Sequence, residues 1–202
     1  MSSVTVVQTG LANIASIKAT LQREGRAIEL TKDPDRVYGA DHLVLPGVGA
    51  FGPGMQTLKQ AGIVEALRER IHNDRPTLAI CLGLQLLCEA SDENPSVEGI
   101  GIIPATVKSF DSSVISPHFG WNMLETEPNC ALLETGFVYY ANSFRLASPP
   151  PGWCCAYTEH GGRFCGGLER GSVLACQFHP ELSGSFGSAL LRRWLTKGGS
   201  HC

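Results

Sequence analysis

Short apolar runs alternate with helical segments through the first half of the chain, and this alternation restricts the fold more than any other feature. The apolar runs occupy residues 4–7, 27–30, 42–45 and 77–80. Apolar residues recur at helical spacing in residues 13–23, 55–71 and 82–90. Near-continuous apolar strands separated by helices are typical of a parallel sheet covered on both faces. The sequence therefore predicts an α/β fold.

The second half has a different texture. Short strands are predicted at residues 100–107, 137–140, 153–157 and 173–177, separated by Gly, Pro and Asn, and only residues 186–195 resemble a helix. We therefore expect a mostly parallel central sheet flanked by helices, with an antiparallel extension in the C-terminal half. A length of 202 residues without an internal repeat or linker predicts a single domain over residues 1–202.

Composition and charge exclude several functional classes. The chain has 16 Lys and Arg against 19 Asp and Glu, a net charge of −3 without a basic cluster, so we expect no nucleic-acid partner. The most continuous apolar stretch, residues 77–88, is interrupted by Gly83 and Gln85 and is too short to cross a membrane. The N-terminal residues lack the charged region and cleavage site of a secretory signal. We expect a cytoplasmic protein.

The chain has eight cysteines, about 4% of its residues, which is below the content of a disulfide-built scaffold. In a cytoplasmic protein we expect them to be reduced thiols, most of them acting as small buried apolar residues. No Cys-x-x-Cys pair is present, so the spacing does not favour structural zinc. We expect no metal and no cofactor.

One cysteine, Cys81, stands between the end of an apolar strand and the start of a helix, with Gly83 two residues on. This is the layout of a nucleophile elbow, in which a sharp turn lifts a nucleophile above the sheet. The helix N-terminus favours the thiolate, and its free N–H groups can receive an oxyanion. A buried cysteine at a strand end is the alternative, and the local pattern alone does not decide between them.

A thiol nucleophile needs a base, and His179 is the best placed of six histidines. It ends an apolar strand, and Pro180 stops the strand directly after it. His179 and Glu181 are two residues apart, so in an extended backbone they point the same way and the carboxylate can orient the imidazole. The sequence thus offers a cysteine, a histidine and an orienting acid. A strand-end histidine and a solvated loop carboxylate are the alternatives.

Three motifs, in this order along the chain, resemble the class I glutamine amidotransferases: PGVG at 46–49, CLGLQ at 81–85 and FHPE at 178–181. More narrowly, the chain resembles the glutaminase subunits of imidazole glycerol phosphate synthases. This narrower likeness rests on NIASI at 13–17, GIGIIP at 99–104, PHFGWN at 117–122 and YYANSF at 139–144. The chain departs from the usual pattern at Leu182, where a basic residue is common, and at Asn142, where many members have His.

The resemblance implies hydrolysis of L-glutamine, with ammonia passed to a (β/α)8-barrel cyclase subunit in a heterodimer that makes imidazole glycerol phosphate and AICAR in histidine biosynthesis. It implies that Cys81 attacks the amide, His179 transfers protons and Glu181 orients His179. The residues it further implies are Val48, Gly49 and Leu82 for the oxyanion, Gln85, Glu93, Ser143 and Phe144 for glutamine, and Asn13, Trp121 and Asn122 for the partner interface.

Two alternatives remain open at the level of the sequence. Close relatives of this family supply ammonia to other acceptors, including a synthase that amidinates a surface sugar. The chain could also be a non-catalytic α/β binding protein or a redox-sensing thiol protein, in which Cys81 is only a reactive cysteine. The joint presence of His179 and Glu181 favours the glutaminase, because a redox thiol needs neither.

Overall fold

The computed structural model describes residues 3–9 and 14–197, and its main element is a nine-stranded mixed sheet. The strands are β1 Ser3–Val7, β2 Ala27–Thr31, β3 His42–Leu45, β4 Thr77–Ile80, β5 Cys88–Ser91, β6 Ile103–Ser109, β7 His118–Thr126, β8 Gly136–Asn142, β9 Phe144–Arg145, β10 Cys154–Glu159, β11 Arg163–Arg170 and β12 Val173–Cys176. The α-helices are α1 Ile14–Arg23, α2 Pro34–Gly39, α3 Phe51–Gln60, α4 Val64–His72, α5 Leu82–Leu87 and α6 Gly184–Lys197.

The strand order in the large sheet is β2-β1-β3-β4-β12-β11-β10-β7-β8. The first five of these strands pair in parallel, and from β12 to β8 every neighbouring pair is antiparallel. This confirms the predicted α/β class, with a parallel half and an antiparallel extension. A second, three-stranded sheet contains β5, β6 and β9.

Helices cover both faces of the parallel half, as the alternation along β3 illustrates. Leu43 and Leu45 face one core, which is completed by α3, α4 and α5, while Val44 faces the other, which is completed by α1 and α6. All three side chains are fully buried. None of the helices in the described residues is long and apolar enough to span a membrane.

Two predicted helices have the wrong boundaries. The helix expected over residues 55–71 is two helices, because the chain turns at Gly62 with a φ of +68° between α3 and α4. The apolar spacing continues across this turn, which is why periodicity alone joins the two segments. The helix expected to reach residue 90 ends at Leu87, and the chain continues as the extended strand β5. Helix α2 and strands β5, β7, β9 and β11 were not predicted.

The parallel pairing of β4 with β12 sets the position of the candidate site. Ile80 lies beside Cys176 in this pair. Because parallel strands end at the same edge of a sheet, the residues that follow them, Cys81 and Gln177, emerge side by side. This edge lies beyond the carboxyl ends of the parallel strands, where α/β folds bind their ligands.

Candidate active site

Cys81 lies in a sharp turn that joins β4 to α5. Its φ is +52°, a conformation that is uncommon for any residue with a side chain. The Cys81 N–H donates to the carbonyl oxygen of Cys176 at 2.7 Å, and the Gln85 N–H donates to the Cys81 carbonyl at 3.3 Å. The backbone on both sides of Cys81 is therefore held by hydrogen bonds, as expected for a nucleophile elbow.

Two glycines allow the elbow to pack against the loop that follows β3. A Cβ atom on Gly83 would lie 2.1 Å from the carbonyl oxygen of Leu45, and one on Gly47 would lie 2.7 Å from Cβ of Leu82. Only glycine permits this approach of two backbone segments. The next loop residues, Val48 and Gly49, line the same cavity as Cys81 and Leu82.

His179 and Glu181 follow β12, and their side chains form a buried pair. The backbone between them is not extended as predicted, because Pro180–Leu182 form a short 3-10 helix. His179 Nδ1 lies 2.9 Å from Glu181 Oε1, and the side chains are 7% and 3% exposed. The His179 N–H donates to the carbonyl of Tyr139 at 2.9 Å, and the Ser183 hydroxyl donates to the His179 carbonyl at 2.7 Å. The backbone of His179 is therefore fixed to β8 and to the turn that precedes α6.

The environment of His179 favours its charged form. Burial by itself lowers the pKa of His179, but interactions with Cys81 and Glu181 outweigh it and raise the pKa to about 10. When Nδ1–H is donated to Glu181, Nε2 is the ring nitrogen left to face Cys81. The arrangement places a charged imidazolium at His179 beside the Cys81 sulfur.

Gln177 was not predicted as a site residue, although its amide links the site together. Its side chain is fully buried. Its Nε2 lies 3.6 Å from the sulfur of Cys81, and its Oε1 accepts a hydrogen bond from Gln85 Nε2 at 3.1 Å. The available signal was a single amide within the apolar run 173–178.

The elbow, the histidine and the glycine loop share one cavity of about 370 Å³, which is within the usual range for a small-molecule site. Nine predicted site residues line it: Val48, Gly49, Cys81, Leu82, Gln85, Glu93, Ser143, Phe144 and His179. Three residues that were not predicted complete the wall: Ala141, Asn142 and Leu182. Glu181 is the one predicted triad member outside the lining, since it lies behind His179.

Some polar groups of the cavity already have hydrogen-bond partners within the protein, and others do not. Glu93 is the only carboxylate among the lining residues, and its Oε2 accepts the N–H of Phe51 at the start of α3, at 2.7 Å. Asn142 is 4% exposed and donates through Nδ2 to the carbonyl of Phe144 at 2.9 Å. Its Oδ1 has no hydrogen-bond partner among the described residues. A buried acceptor without a partner is costly unless a ligand or water supplies the donor.

Of the predicted interface residues, Trp121 and Asn122 do not line the cavity. Trp121 is 56% exposed on the outward face of the β7–β8 hairpin, with its ring edge-to-face against Tyr139 at 6.0 Å. Asn122 uses its amide within the fold, since Nδ2 donates to the carbonyl of Glu159 at 2.9 Å and Oδ1 accepts the N–H of Met123 at 2.8 Å. Asn13 lies outside the described residues.

The combination of this fold with a cysteine elbow facing a buried His–Glu pair defines the class I glutamine amidotransferases. The sequence model described as "Glutamine amidotransferase class-I" matches residues 9–197. Solved structures agree in fold: a glutamine amidotransferase has a TM-score of 0.78 at 21% identity and covers 98% of this chain and 100% of its own. The structure of PurLQS from Thermotoga maritima has a TM-score of 0.75 at 16% identity and covers 96% of this chain and 98% of its own.

More similar sequences identify the branch. A Symbiobacterium thermophilum protein named imidazole glycerol phosphate synthase subunit HisH is 37% identical over 198 residues, covering 96% of this chain and 93% of that protein. A protein of the same name from Exiguobacterium sibiricum is 39% identical, covering 95% of this chain and 93% of that protein. Arabidopsis thaliana imidazole glycerol phosphate synthase hisHF is 41% identical over 96% of this chain, which spans only 34% of that protein. The chain belongs to the HisH family of class I glutamine amidotransferases.

Proposed function

We propose that this chain hydrolyses L-glutamine with Cys81, His179 and Glu181 as its catalytic triad and passes the ammonia to a (β/α)8-barrel cyclase in a heterodimer. The observation that carries the proposal is the buried His179–Glu181 pair, 2.9 Å apart, in contact with the cavity that contains the Cys81 sulfur. A buried acid that orients a histidine beside a thiol is the arrangement that nucleophilic acyl transfer requires.

The first half of the reaction forms a thioester. The Cys81 thiolate attacks the side-chain amide carbon of glutamine, and the carbonyl oxygen becomes an oxyanion. Leu82, Val48 and Gly49 line the cavity, and we assign the N–H of Leu82 and a backbone N–H of the Val48–Gly49 loop as the donors to that oxyanion. His179 donates its Nε2 proton to the departing nitrogen, which leaves as ammonia.

The second half releases glutamate. His179, now neutral at Nε2, takes a proton from a water molecule, and the resulting hydroxide attacks the thioester carbon. The carbon–sulfur bond breaks, glutamate leaves, and Cys81 returns to the thiolate beside protonated His179. Glu181 keeps the imidazole of His179 in the same orientation in both halves of the reaction, because it stays hydrogen-bonded to Nδ1.

Charge complementarity orients the substrate in the cavity. Glu93 is the only carboxylate in the lining, so it is the group that can attract the α-ammonium of glutamine. The free Oδ1 acceptor of Asn142 matches a second N–H donor of the substrate. Gln85, Ser143 and Phe144 complete the wall around the side-chain amide.

Exposed apolar side chains support a partner surface beside the cavity. Phe119, Trp121 and Phe137, here called the hairpin face, are 68%, 56% and 58% exposed on the outward side of β7 and β8. Val48 and Leu182, which line the cavity, are also partly exposed. Contiguous exposed apolar groups commonly mark a protein interface. We assign this face to the cyclase barrel, so that ammonia is released next to its acceptor.

A glutaminase assay with the cyclase partner present tests the triad. Cys81→Ala should abolish glutamine-dependent formation of glutamate and ammonia while the variant still binds the cyclase. Cys154→Ser is the matched control, because Cys154 lies outside the cavity lining and its loss should leave turnover unchanged. Equal ammonia release by the wild type and Cys81→Ala would refute the assignment.

A further inference from the structure

A second pair of reactive groups lies outside the active site. The sulfur atoms of Cys130 and Cys154 are 2.8 Å apart, and both residues are partly exposed. Cys130 lies in the loop between β7 and β8, and Cys154 is the first residue of β10. A disulfide needs sulfurs about 2.05 Å apart, so a small side-chain adjustment is enough to join this pair. The proposed glutaminase reaction uses neither thiol.

The backbone holds the two cysteines in this position through Glu127. The Cys130 N–H donates to the Glu127 carbonyl at 3.2 Å, and the Glu127 N–H donates to the Cys155 carbonyl at 3.2 Å. The Glu127 carboxylate also accepts the N–H of Cys155 at 3.3 Å. These hydrogen bonds hold the loop against the first residues of β10, and this keeps the two sulfur atoms close together.

The pair is less suited to a metal than to a disulfide. Glu169 is the only further carboxylate or thiol that joins the pair in a metal-like group within the described residues. Its carboxylate already accepts backbone N–H groups of Ala131, Leu132 and Leu133, the last two at 2.8 Å, and so caps the loop. Structural zinc takes four ligands, and this group offers two thiols without a free third ligand.

We propose that Cys130 and Cys154 form a reversible disulfide on contact with a peroxide or a low-molecular-weight disulfide. Both thiols are partly exposed to an oxidant, and the reaction balances in the same way whichever sulfur attacks first. With hydrogen peroxide, the Cys154 sulfur attacks one oxygen, the O–O bond breaks, and a sulfenic acid and water form. The Cys130 sulfur then displaces water from the sulfenic acid. Two thiols and one peroxide thus give one disulfide and two waters.

The crosslink would act on the antiparallel half of the sheet. Cys154 pairs with Glu169 at the edge where β12 begins, whereas the active site lies at the edge where β12 ends. The closed ring of residues 130–154 nevertheless contains β8 and the cavity-lining residues 141–144. Restricting this ring in the unfolded chain should raise the melting temperature of the oxidised protein by about 5–10 °C.

Peptide mapping of the full chain after oxidation tests the proposal. In Cys81→Ala, which lacks the active-site thiol, hydrogen peroxide or oxidised glutathione should remove two alkylatable thiols, lower the mass by two hydrogens and join tryptic peptides 109–145 and 146–163. A thiol reductant should reverse all three changes. The second peptide contains Cys154 and Cys155, so variants must distinguish them. The crosslink and the rise in melting temperature should persist in Cys155→Ser and disappear in Cys130→Ser and Cys154→Ser.

Three outcomes would overturn the proposal. The first is the absence of the crosslink in the folded wild type at an oxidant concentration that joins a reference dithiol. The second is a crosslink through Cys155, which would appear as its loss in Cys155→Ala as well as in Cys155→Ser. The third is stoichiometric zinc on the reduced chain that is lost in Cys130→Ser, which would make the pair a metal site. Circular dichroism of each variant before oxidation establishes that it is folded.

Discussion

Nδ1 of His179 lies 2.9 Å from Oε1 of Glu181, with both side chains withdrawn almost completely from solvent. The second carboxylate oxygen, Oε2, has no hydrogen-bond partner among the described residues. Among the described residues, the Glu181 carboxylate therefore makes its hydrogen bond to His179. A buried carboxylate that bonds mainly to one imidazole is positioned to fix its tautomer and to stabilise its cation.

Replacing Glu181 should therefore lower the basicity of His179. Glu181→Gln keeps the shape of the side chain and removes its charge, so kcat for glutamine hydrolysis should fall about 100-fold with a smaller change in KM. Because Glu181 helps to raise the pKa of His179, the alkaline limb of the pH–rate profile should move to lower pH. An unchanged limb together with a reduced kcat would mean that Glu181 acts only through packing.

Gln177 should act as a positioning residue for Cys81. Gln177→Met keeps the volume and removes the hydrogen bonds to the Cys81 sulfur and to Gln85. We expect kcat to fall about 10-fold and the rate of Cys81 alkylation by iodoacetamide to change in parallel, because the thiolate loses a donor. A purely structural role would lower the melting temperature and leave the alkylation rate of Cys81 unchanged.

Asn142 should contribute to the recognition of glutamine. Asn142→Ala removes the Oδ1 acceptor that has no described partner, and kcat/KM should fall about 10-fold, mainly through KM. Asn142→Asp retains an acceptor and should lose less. Equal kcat/KM for wild type and Asn142→Ala would show that this oxygen faces no part of the substrate.

The hairpin face should carry much of the affinity for the cyclase. Trp121→Ala removes a large exposed aromatic side chain, and the dissociation constant should rise about 10- to 100-fold in a calorimetric titration. Ile115→Ala is the matched control, since Ile115 is 84% exposed but precedes β7. An unchanged dissociation constant for Trp121→Ala would place the interface elsewhere.

His118 should make the fold sensitive to acid. Its ring stacks on His160 at 4.0 Å and on Tyr140 at 4.7 Å, and burial together with the charge of His160 lowers its pKa to about 4. Because the pKa of His118 is lower in the folded state, its contribution to the free energy of unfolding is complete above pH 6.5. This contribution is lost as the pH falls towards 4. Urea unfolding should show a loss of about 1–2 kcal/mol over this range, reduced by solvent screening. In His118→Gln the loss should be smaller, and an equal loss would exclude His118 as its source.

Much of the parallel half could be predicted because its signals are local. Strands β3 and β4 have the predicted boundaries, since each is a continuous apolar run that ends at a turn or at the elbow. Gly83 marked the elbow, but Pro180 misplaced the end of the next strand, because β12 ends at Cys176 and His179 lies three residues beyond it. The break between α3 and α4 was missed, because Gly62 interrupts the backbone without interrupting the apolar spacing.

The amino-acid sequence by itself determined the bounds of β3 and β4, the cysteine elbow and the spacing of His179 and Glu181, because these depend on neighbouring residues. Only the tertiary structure decided that β12 lies beside β4, which brings His179 into the cavity of Cys81 although about a hundred residues separate them. It also decided that Gln177 contacts the Cys81 sulfur and that Cys130 meets Cys154. Contacts between distant residues follow from strand order and register, and local residue patterns do not encode those two properties.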